Sequence, residues 1–438
     1  GLLAQPTGAA DQPWRRVVLA PDLSLPTLSA LGQPGARQQL VPSPVTTDHL
    51  IRIGSRPLWF EADLDGDREP LRERLAAALD DFRAEEAERD ERLAALDPEA
   101  RTTGAALPTE PRTLLIPGLG ALSAGRDGHE AALGRDLLSR NLEVKTGQLL
   151  AGVRYQGLPE ASLWQMELRP FQQDKLDRTE RCLRGTVALV TGAAGAIGAA
   201  ICRHLINAGA EVVGADLPGP RLASLGRDMA AVAPGRFEAV EMDVTSAASV
   251  SDAFGEAILA WGGVDLVVLT AGLAHVAGLE ELDLDELRRL SRVNLEGTML
   301  TLAEAGRLFR RQGTGGDVVL ISSKNVQAPG ARFGAYSATK AAAHQLARVA
   351  ALELAEIDVR VNIVSPDAVF GDEHRPSGLW QEVGPDRMRA RGLDPEGLEE
   401  YCRRRNLLRV RVTADHVAEA VLFFACRRTP TTGAILPV

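Results

Sequence analysis

From Gly185 onward, short continuous apolar runs recur: Thr186–Val190, Glu211–Ala215, Phe237–Met242, Val264–Thr270, Asp317–Ile321, Arg360–Val364 and Ala434–Pro437. Stretches with helical periodicity separate them. A strand that is apolar throughout has no polar face to give to water, so it must be covered on both sides. Regular strand–helix alternation of this kind predicts a doubly wound parallel α/β sheet over residues 181–438.

The first 180 residues read differently, as a smaller and partly irregular α/β domain. Residues 1–50 hold seven prolines. Proline fixes φ and removes a donor, so irregular chain is expected there, with at most a short strand at Arg16–Leu19. Residues 67–97 read as one long helix. Pro70 is tolerated in its first turn, and Leu71, Leu75 and Leu79 follow at i, i+4 and i+8, then Phe82, Leu93 and Leu96. Residues 98–111 read as a linker. The strand Thr113–Ile116 then leads through Gly118, Gly120 and Gly125 to a helix over Gly128–Arg140. Strand, glycine loop and helix in that order outline a second dinucleotide site. Pro117 interrupts it, however, and no acid ends an obvious second strand.

Composition narrows the function. Of 438 residues, 45% are apolar and 25% charged, which excludes a disordered, collagenous or coiled-coil chain. The formal net charge of −10 argues against nucleic acid and against an anionic membrane surface as partners. Half of that charge falls on residues 67–97, with eleven acids and six arginines, and reads as a solvated helix face laced with ion pairs. Cys182, Cys202, Cys402 and Cys426 form no C-x-x-C pair and are expected as free thiols in a reducing cytosol. The opening GLLAQPTGAADQPWRR has no signal-peptide pattern, and Gly185–Cys202 is too short and glycine-broken to span a bilayer. A cytoplasmic protein is expected. The seven histidines, His49, His129, His204, His275, His344, His374 and His416, offer no H-x-H or H-x-x-x-H pair, so no metal site is expected.

Two constellations carry chemistry. Thr191-Gly192-Ala193-Ala194-Gly195-Ala196-Ile197-Gly198 follows an apolar strand and opens a helix. Glycines there let the backbone approach a pyrophosphate, and the free N–H groups at the helix start hold its charge. The next strand ends in Asp216, where a carboxylate hydrogen-bonds ribose hydroxyls and repels a 2′-phosphate. The second constellation is Tyr336 with Lys340 one helical turn on, and Ser323 upstream at a strand end. An ammonium beside a phenol should lower its pKa, so that Tyr336 exchanges a proton with a substrate hydroxyl, to which Ser323 donates.

On these motifs the chain resembles the short-chain dehydrogenase/reductases, with a Rossmann-type fold, over about residues 185–438. The resemblance implies NAD as cofactor, with Gly192, Ala194, Ala196, Ile197, Gly198, Asp216 and Leu217 around its adenosine and pyrophosphate. Asp243 and Val244 would lie at the adenine, and Ala271, Gly272, Pro366 and Val369 further along the cofactor. It implies a catalytic set of Asn294, Ser323, Tyr336 and Lys340, with Lys340 also on the nicotinamide ribose and Asn294 holding a water in a proton relay. Three positions depart from the family. Ala196 replaces a glycine. Thr270 replaces an asparagine, which weakens a strand-to-strand brace. Asp367 replaces the glycine after Pro366. The ending Leu436-Pro437-Val438, where the family runs on into Asp-Gly-Gly, implies a trimmed tail.

A narrower resemblance rests on residues 43–52, 117–120, 167–176, 322–325, 365–370 and 377–380. Together they are similar to the bifunctional rhamnulose-phosphate aldolase/alcohol dehydrogenases, in which Asp367 is expected. That likeness implies L-lactaldehyde or a related product of deoxysugar cleavage as the small-molecule substrate. It also implies that residues 1–180 are the carboxyl-terminal part of an aldolase region lacking its metal-binding core. Zinc-dependent aldol cleavage by the intact protein is the alternative, and a non-catalytic scaffold a third reading, against which the intact Ser323, Tyr336 and Lys340 argue. Within Phe370–Asn406, Arg387, Arg389, Arg391 and Arg403–Arg405 read as a solvated helix face, with a phosphorylated substrate as the other possibility. His275, His374 and Trp380 read as structural or surface residues, and His49 as structural. Helices around Leu284–Arg311 and Ala335–Glu356 are apolar over a wide arc, which predicts a homodimer or homotetramer through them.

Overall fold

A computed structural model describes residues 2–7, 13–63, 68–97, 109–168, 181–371, 375 and 377–438. The second part of the chain forms one seven-stranded, wholly parallel sheet. We number its strands β7 (Val187–Thr191), β8 (Glu211–Asp216), β9 (Phe237–Glu241), β10 (Leu266–Leu269), β11 (Gly316–Ile321), β12 (Val359–Ser365) and β13 (Ile435–Pro437). Their order is β13-β12-β11-β10-β7-β8-β9. All seven anticipated strands are present. Neighbouring residues serve opposite faces: Val187 and Leu189 join one core cluster, and Ala188 and Val190 the other. This is why the inner strands β7, β10 and β11, buried throughout, carry no polar alternation.

One face is covered by α9 (Ala247–Trp261), α11 (Gly297–Gln312) and α12 (Gly334–Glu353). The other is covered mainly by α7 (Ala196–Asn207) and α15 (Ala414–Ala425). The remaining helices of this part are α8 (Pro220–Val232), α10 (Leu284–Ser291), α13 (Gly378–Arg391) and α14 (Pro395–Arg405). Chain order reverses between β7 and β10, so a crevice opens outside their carboxyl ends.

The first part holds a four-stranded sheet in the order β3-β6-β5-β4, from β3 (Val18–Asp22), β4 (Leu58–Trp59), β5 (Thr113–Ile116) and β6 (Gly120–Gly125). A small antiparallel pair, β1 (Gln5–Pro6) and β2 (Trp14–Arg15), precedes it. The long helix α4 (Arg68–Leu96) and helix α5 (Gly128–Leu150) pack with this sheet. A further helix, α6 (Glu160–Leu168), packs on α4.

Several expectations are corrected here. Residues 1–50 are not mainly irregular. They contain α1 (Leu25–Leu31), α2 (Ala36–Leu40) and α3 (Thr47–Ile53), and the expected strand lies two residues later as β3. Pro26 sits in the first turn of α1 under the Ser24 cap, where proline does no harm. The glycine run after β5 is no dinucleotide loop. It is an antiparallel hairpin, in which a Cβ on Gly120 would lie 2.5 Å from the Asp22 carbonyl. Helix α5 then starts under an Asp127 cap, a carboxylate that would repel phosphate, and runs ten residues further than expected. The expected linker falls mostly outside the described residues, as does most of 167–176.

The two sheets share one core. Val18, Ala20 and Ala131 belong to the same cluster as Leu189 and Val267. Arg16 forms an ion pair with Asp265 at 3.1 Å and donates to the Thr314 carbonyl at 3.0 Å. The Gly128 N–H donates to the fully buried Glu211 carboxylate at 2.9 Å. Arg184 pairs with Asp127 at 2.7 Å. Asp265, Thr314 and Glu211 all lie at the amino ends of parallel strands. The first part therefore seals the edge of the sheet opposite the crevice.

Two of the four cysteines are not free. Cys182, just ahead of β7, is disulfide-bonded to Cys426, at the end of α15, with Cα atoms 5.5 Å apart. Spacing could not show this, because 244 residues separate them. Cys202 and Cys402 are free and buried. Denatured protein without reductant should titrate two thiols, rising to four on reduction. Reduction should also lower the thermal midpoint, since a native disulfide contributes typically about 2–4 kcal/mol. Four thiols at the outset would remove the bond.

Candidate functional site

The crevice is built from strand ends. Thr191 closes β7, and its buried hydroxyl accepts from Thr270 N at 3.1 Å and Ala271 N at 3.3 Å. The brace expected to be weak at Thr270 is thus supplied from the opposite strand. A Cβ on Gly192, which has a positive φ of 63°, would lie 2.7 Å from Ala271 N. One on Gly198 would lie 2.3 Å from the Gly192 carbonyl. Only glycine fits this turn, which presents the start of α7 at the crevice. The helix is capped by Gly195 without a side-chain acceptor, so its first N–H groups are not held by a cap. Ala196 occupies the first helical position and Ile197 lines the cleft beyond it.

Asp216 ends β8. It accepts from Ala194 N and from Leu217 N, each at 2.8 Å, which fixes its carboxylate against the turn, while the Leu217 side chain is exposed. Asp243 follows β9 and accepts from Thr245 N at 2.9 Å. Val244 packs where a Cβ on Gly297 would touch it at 2.8 Å. A turn that excludes a Cβ, an uncapped helix start and a carboxylate at the next strand end together fit a dinucleotide.

The second half of the site is a cleft of about 450 Å³. Gly272, Ser323, Tyr336, Lys340, Pro366 and Val369 line it, together with Lys324, Phe333, Trp380, Arg387, Arg391, Tyr401 and Arg405. Ser323 leaves β11, and Tyr336 and Lys340 share a face of α12. Lys340 Nζ donates to the Ile321 carbonyl at 3.1 Å. A Cβ on Gly272 would come within 2.9 Å of that nitrogen, so glycine keeps its path open.

Burial pushes Lys340 down to about 8. Burial also pushes the Tyr336 phenol up, and a hydrogen bond with Ser323 pulls it partly back. The expected lowering of Tyr336 by Lys340 is therefore corrected: both groups are buried, and desolvation is the largest influence on the phenol.

Asn294 sits in a single wide π turn, Arg292–Glu296, between α10 and α11. Its side chain accepts from Leu273 N at 2.9 Å and donates to the Leu273 carbonyl at 2.9 Å and to Thr339 at 3.0 Å. It clamps the loop after β10 to α12, so its visible work is positioning. Lys324 forms an ion pair with Asp367, which explains an acid where glycine was expected.

Other expectations divide. Trp380, read as structural, stacks on Phe370 at 4.4 Å and lines the cleft. His275 lies 3.7 Å from Glu286 and is not a lining residue. His49 contacts Asn141 at 2.6 Å. His374 lies outside the described residues. Arg403 and Arg404 pair with Glu400 on the outer face, whereas Arg387 is buried in the cleft and Arg391 and Arg405 line it from exposed positions. The solvated-face reading holds for Arg389, Arg403 and Arg404, and it fails outright for the buried Arg387. The spacing of Arg387 and Arg391, one helical turn apart, was the available signal. Among the described residues, no three His, Cys, Asp or Glu side chains are grouped to hold a metal, and no helix is long and apolar enough to cross a membrane.

Residues 186–380 match the short chain dehydrogenase family. Sorbitol dehydrogenase of Cereibacter sphaeroides is 32% identical over 190 residues, 43% of this chain and 73% of that protein. The chain belongs to the short chain dehydrogenases. As a member of that family it is an oxidoreductase with a nicotinamide cofactor, NAD or NADP. The crystal structure of sorbitol-6-phosphate 2-dehydrogenase from Erwinia amylovora superimposes with a TM-score of 0.53 at 27% identity, over 57% of this chain and 97% of that one. Residues 2–176 match the second domain of class II aldolases. An uncharacterized oxidoreductase of Bacillus subtilis, YuxG, is 36% identical over 334 residues, 75% of this chain. The chain spans about half of that relative, 48% of its length.

Proposed function

We propose that this chain is an NAD-dependent dehydrogenase of a small hydroxy compound or hydroxyaldehyde. The observation that carries this reading is the meeting of Ser323, Tyr336 and Lys340 in one cleft beside the glycine turn. The turn over Gly192, Ala194, Ala196, Ile197 and Gly198 holds the pyrophosphate, and Asp216 with Leu217 the adenosine ribose. Asp243 and Val244 border the adenine, and Ala271, Gly272, Pro366 and Val369 the nicotinamide half. When bound, the nicotinamide supplies the two-electron acceptor or donor.

The protein's own residues do the rest. Ser323 and Tyr336 hold the substrate oxygen between them, and Tyr336 exchanges its proton. Lys340 places a cation beside the phenol and donates to the cofactor ribose. Asn294 keeps the loop at Leu273 in register with α12. L-lactaldehyde, in rhamnose-type sugar catabolism, is the substrate that the likeness to the aldolase/dehydrogenases supports. An aldehyde would react as its hydrate. The match of residues 2–176 supports a second reading, a bifunctional protein that also cleaves rhamnulose 1-phosphate. Zinc analysis, with an assay for released dihydroxyacetone phosphate, separates the two.

Tyr336→Phe removes one hydroxyl and should leave fold and NAD binding intact. NADH formation from short hydroxyaldehydes and polyols should fall by ~10²–10⁴-fold, the range for general acid–base groups. Retained turnover would move proton transfer elsewhere. Lys340 is charged below about 8. Wild-type affinity for NAD should therefore weaken as pH rises through that value, and Lys340→Ala should be weaker and lack the step.

Asp216 supports NAD over NADP, because a 2′-phosphate would meet a carboxylate already fixed by two backbone donors. Like charges in a partly desolvated site cost several kcal/mol, so NAD should bind on the order of 10²-fold tighter. Equal affinity by titration would sink the assignment.

We also propose a homodimer or homotetramer through α11 and α12, where Met299 is 48% exposed and Leu352 80%. Val349 and Leu346 line a groove between these helices. Light scattering should show the oligomer at micromolar concentration and its loss in Val349→Glu. A wild-type monomer would refute it.

A further inference from the structure

The helices over the cleft sort their arginines by direction. On the outer face, Arg389 pairs with Asp386, while Arg403 and Arg404 pair with Glu400. Nearby, Arg411 pairs with Glu399 at 2.9 Å, and Arg289 with Glu382 at 2.7 Å. Facing the other way, the buried Arg387 and, at the exposed rim, Arg391 and Arg405 line the cleft that holds Ser323 and Tyr336. Among the described residues, none of these three has a carboxylate partner. In a chain with ten more acids than bases, this is a local reversal.

Arg387 is the sharpest case. It is only 6% exposed, and its Nε is buried with no hydrogen-bond partner. Its guanidinium lies 5.1 Å from the Phe333 ring and 5.1 Å from the Trp380 ring. Aromatic faces hold a guanidinium by its plane and leave its N–H edge for a planar or tetrahedral oxyanion. Arg391 and Arg405 lie over Tyr401 at 5.0 and 5.8 Å. Burial, reinforced by Arg391 and Arg405, makes the charge on Arg387 harder to hold. The remaining lining cation on this side, Lys324, is already neutralised by Asp367.

We propose that the substrate of this site is a short hydroxy compound bearing a phosphate monoester, with its dianionic head held by Arg387, Arg391 and Arg405. This rests on the dehydrogenase reading above but departs from L-lactaldehyde as its substrate, because that compound carries no charge for the arginines to meet. Three guanidinium ions are balanced better by a dianion than by a carboxylate, and their forks match phosphate oxygens. The Phe333 ring touches both Arg387 and Tyr336, the latter with centroids 5.8 Å apart. The phosphate end and the reacting hydroxyl thus sit at two ends of one small cleft, a few carbons apart. An uncharged hydroxyaldehyde leaves the arginines unmatched and ranks below its phosphorylated counterparts.

The test uses the full chain with NAD and matched compounds: glycerol and sn-glycerol 3-phosphate, propane-1,2-diol and its 1-phosphate, and glycerate. The phosphorylated member should exceed its parent in kcat/KM by on the order of 10²-fold, the scale for one truncated partner of a buried charge pair. Arg387→Met keeps an apolar stem between the rings and should bring the ratio toward unity, mainly through KM. Arg391→Gln, on an exposed residue, should do the same in part and guards against a folding defect in the first variant. Arg389→Gln, on the paired outer face, should leave the ratio unchanged. Parents turned over as well as phosphates, preference for glycerate, or a ratio that survives both inner variants would overturn the proposal. Calorimetric binding of sn-glycerol 3-phosphate that both inner variants lose, with no turnover of any compound, would keep the anion site and remove the dehydrogenase reading. Turnover without phosphate preference would do the reverse.

Discussion

The close approach of β7 and β10 at their carboxyl ends is the constraint on which the site depends. Gly192 passes so near Ala271 that a methyl group would not fit. The Thr191 hydroxyl accepts both amides that follow β10. Chain order reverses between these two strands, which separates the loops and opens the crevice beside these contacts. From that point α7 runs one way with its N–H groups at the opening. The loop at Leu273 runs the other way to Asn294, which ties it to Thr339 on α12. Tyr336 and Lys340 are carried on that same helix. The dinucleotide turn and the tyrosine helix are therefore positioned by one chain of short contacts, made mainly to backbone.

Burial on both sheet faces has a second consequence. Charged groups can be placed cheaply only at the strand ends, and the two ends have been used differently. At the amino ends, Asp265, Asp317 and Glu211 are consumed by Arg16, Arg427 and the Gly128 amide. Burial pushes the Glu211 and Asp317 carboxyls up, so each is a liability that its partners offset rather than a reserve of chemistry. Those partners include residues of the aldolase-like part, which closes the amino-end edge by sharing its core. At the carboxyl ends the charges, Lys340 and the inward arginines, face a cleft. Perturbed groups are structural at one edge and chemically available at the other.

What could be read from the sequence follows the range of each interaction. The seven strands, the long helix over Arg68–Leu96 and the pairing of Tyr336 with Lys340 are repeats within a few residues, so periodicity reveals them. The glycine turn is legible because its flanking strand and helix are. Contacts between distant segments are not. Cys182 and Cys426 have no local pattern. Asp367 looks anomalous until Lys324, forty-three residues before it, is seen across the loop. The hairpin at Gly120 was ambiguous for a different reason: strand, glycines and helix occur in the same order in a hairpin and in a nucleotide loop. Only the strand direction separates them.

The arginines over the cleft show the same limit in its functional form. Arg403, Arg404 and Arg405 are consecutive and chemically identical, so composition assigns them one role. Helical geometry turns successive residues by about 100°, and that rotation divides them. Two reach Glu400 on the outer face, and the third faces Tyr401 and the cleft. An exposed pair of this kind adds little to stability and is easily exchanged. A buried guanidinium without a partner is different, because desolvation works against it in the folded state by itself. Arg387 also interrupts an apolar cluster of Phe333, Tyr336, Val383 and Trp380 that a methionine could fill. Stability alone would favour that replacement. On the anion-site proposal, the position is accounted for by an oxyanion that meets the guanidinium in the cleft.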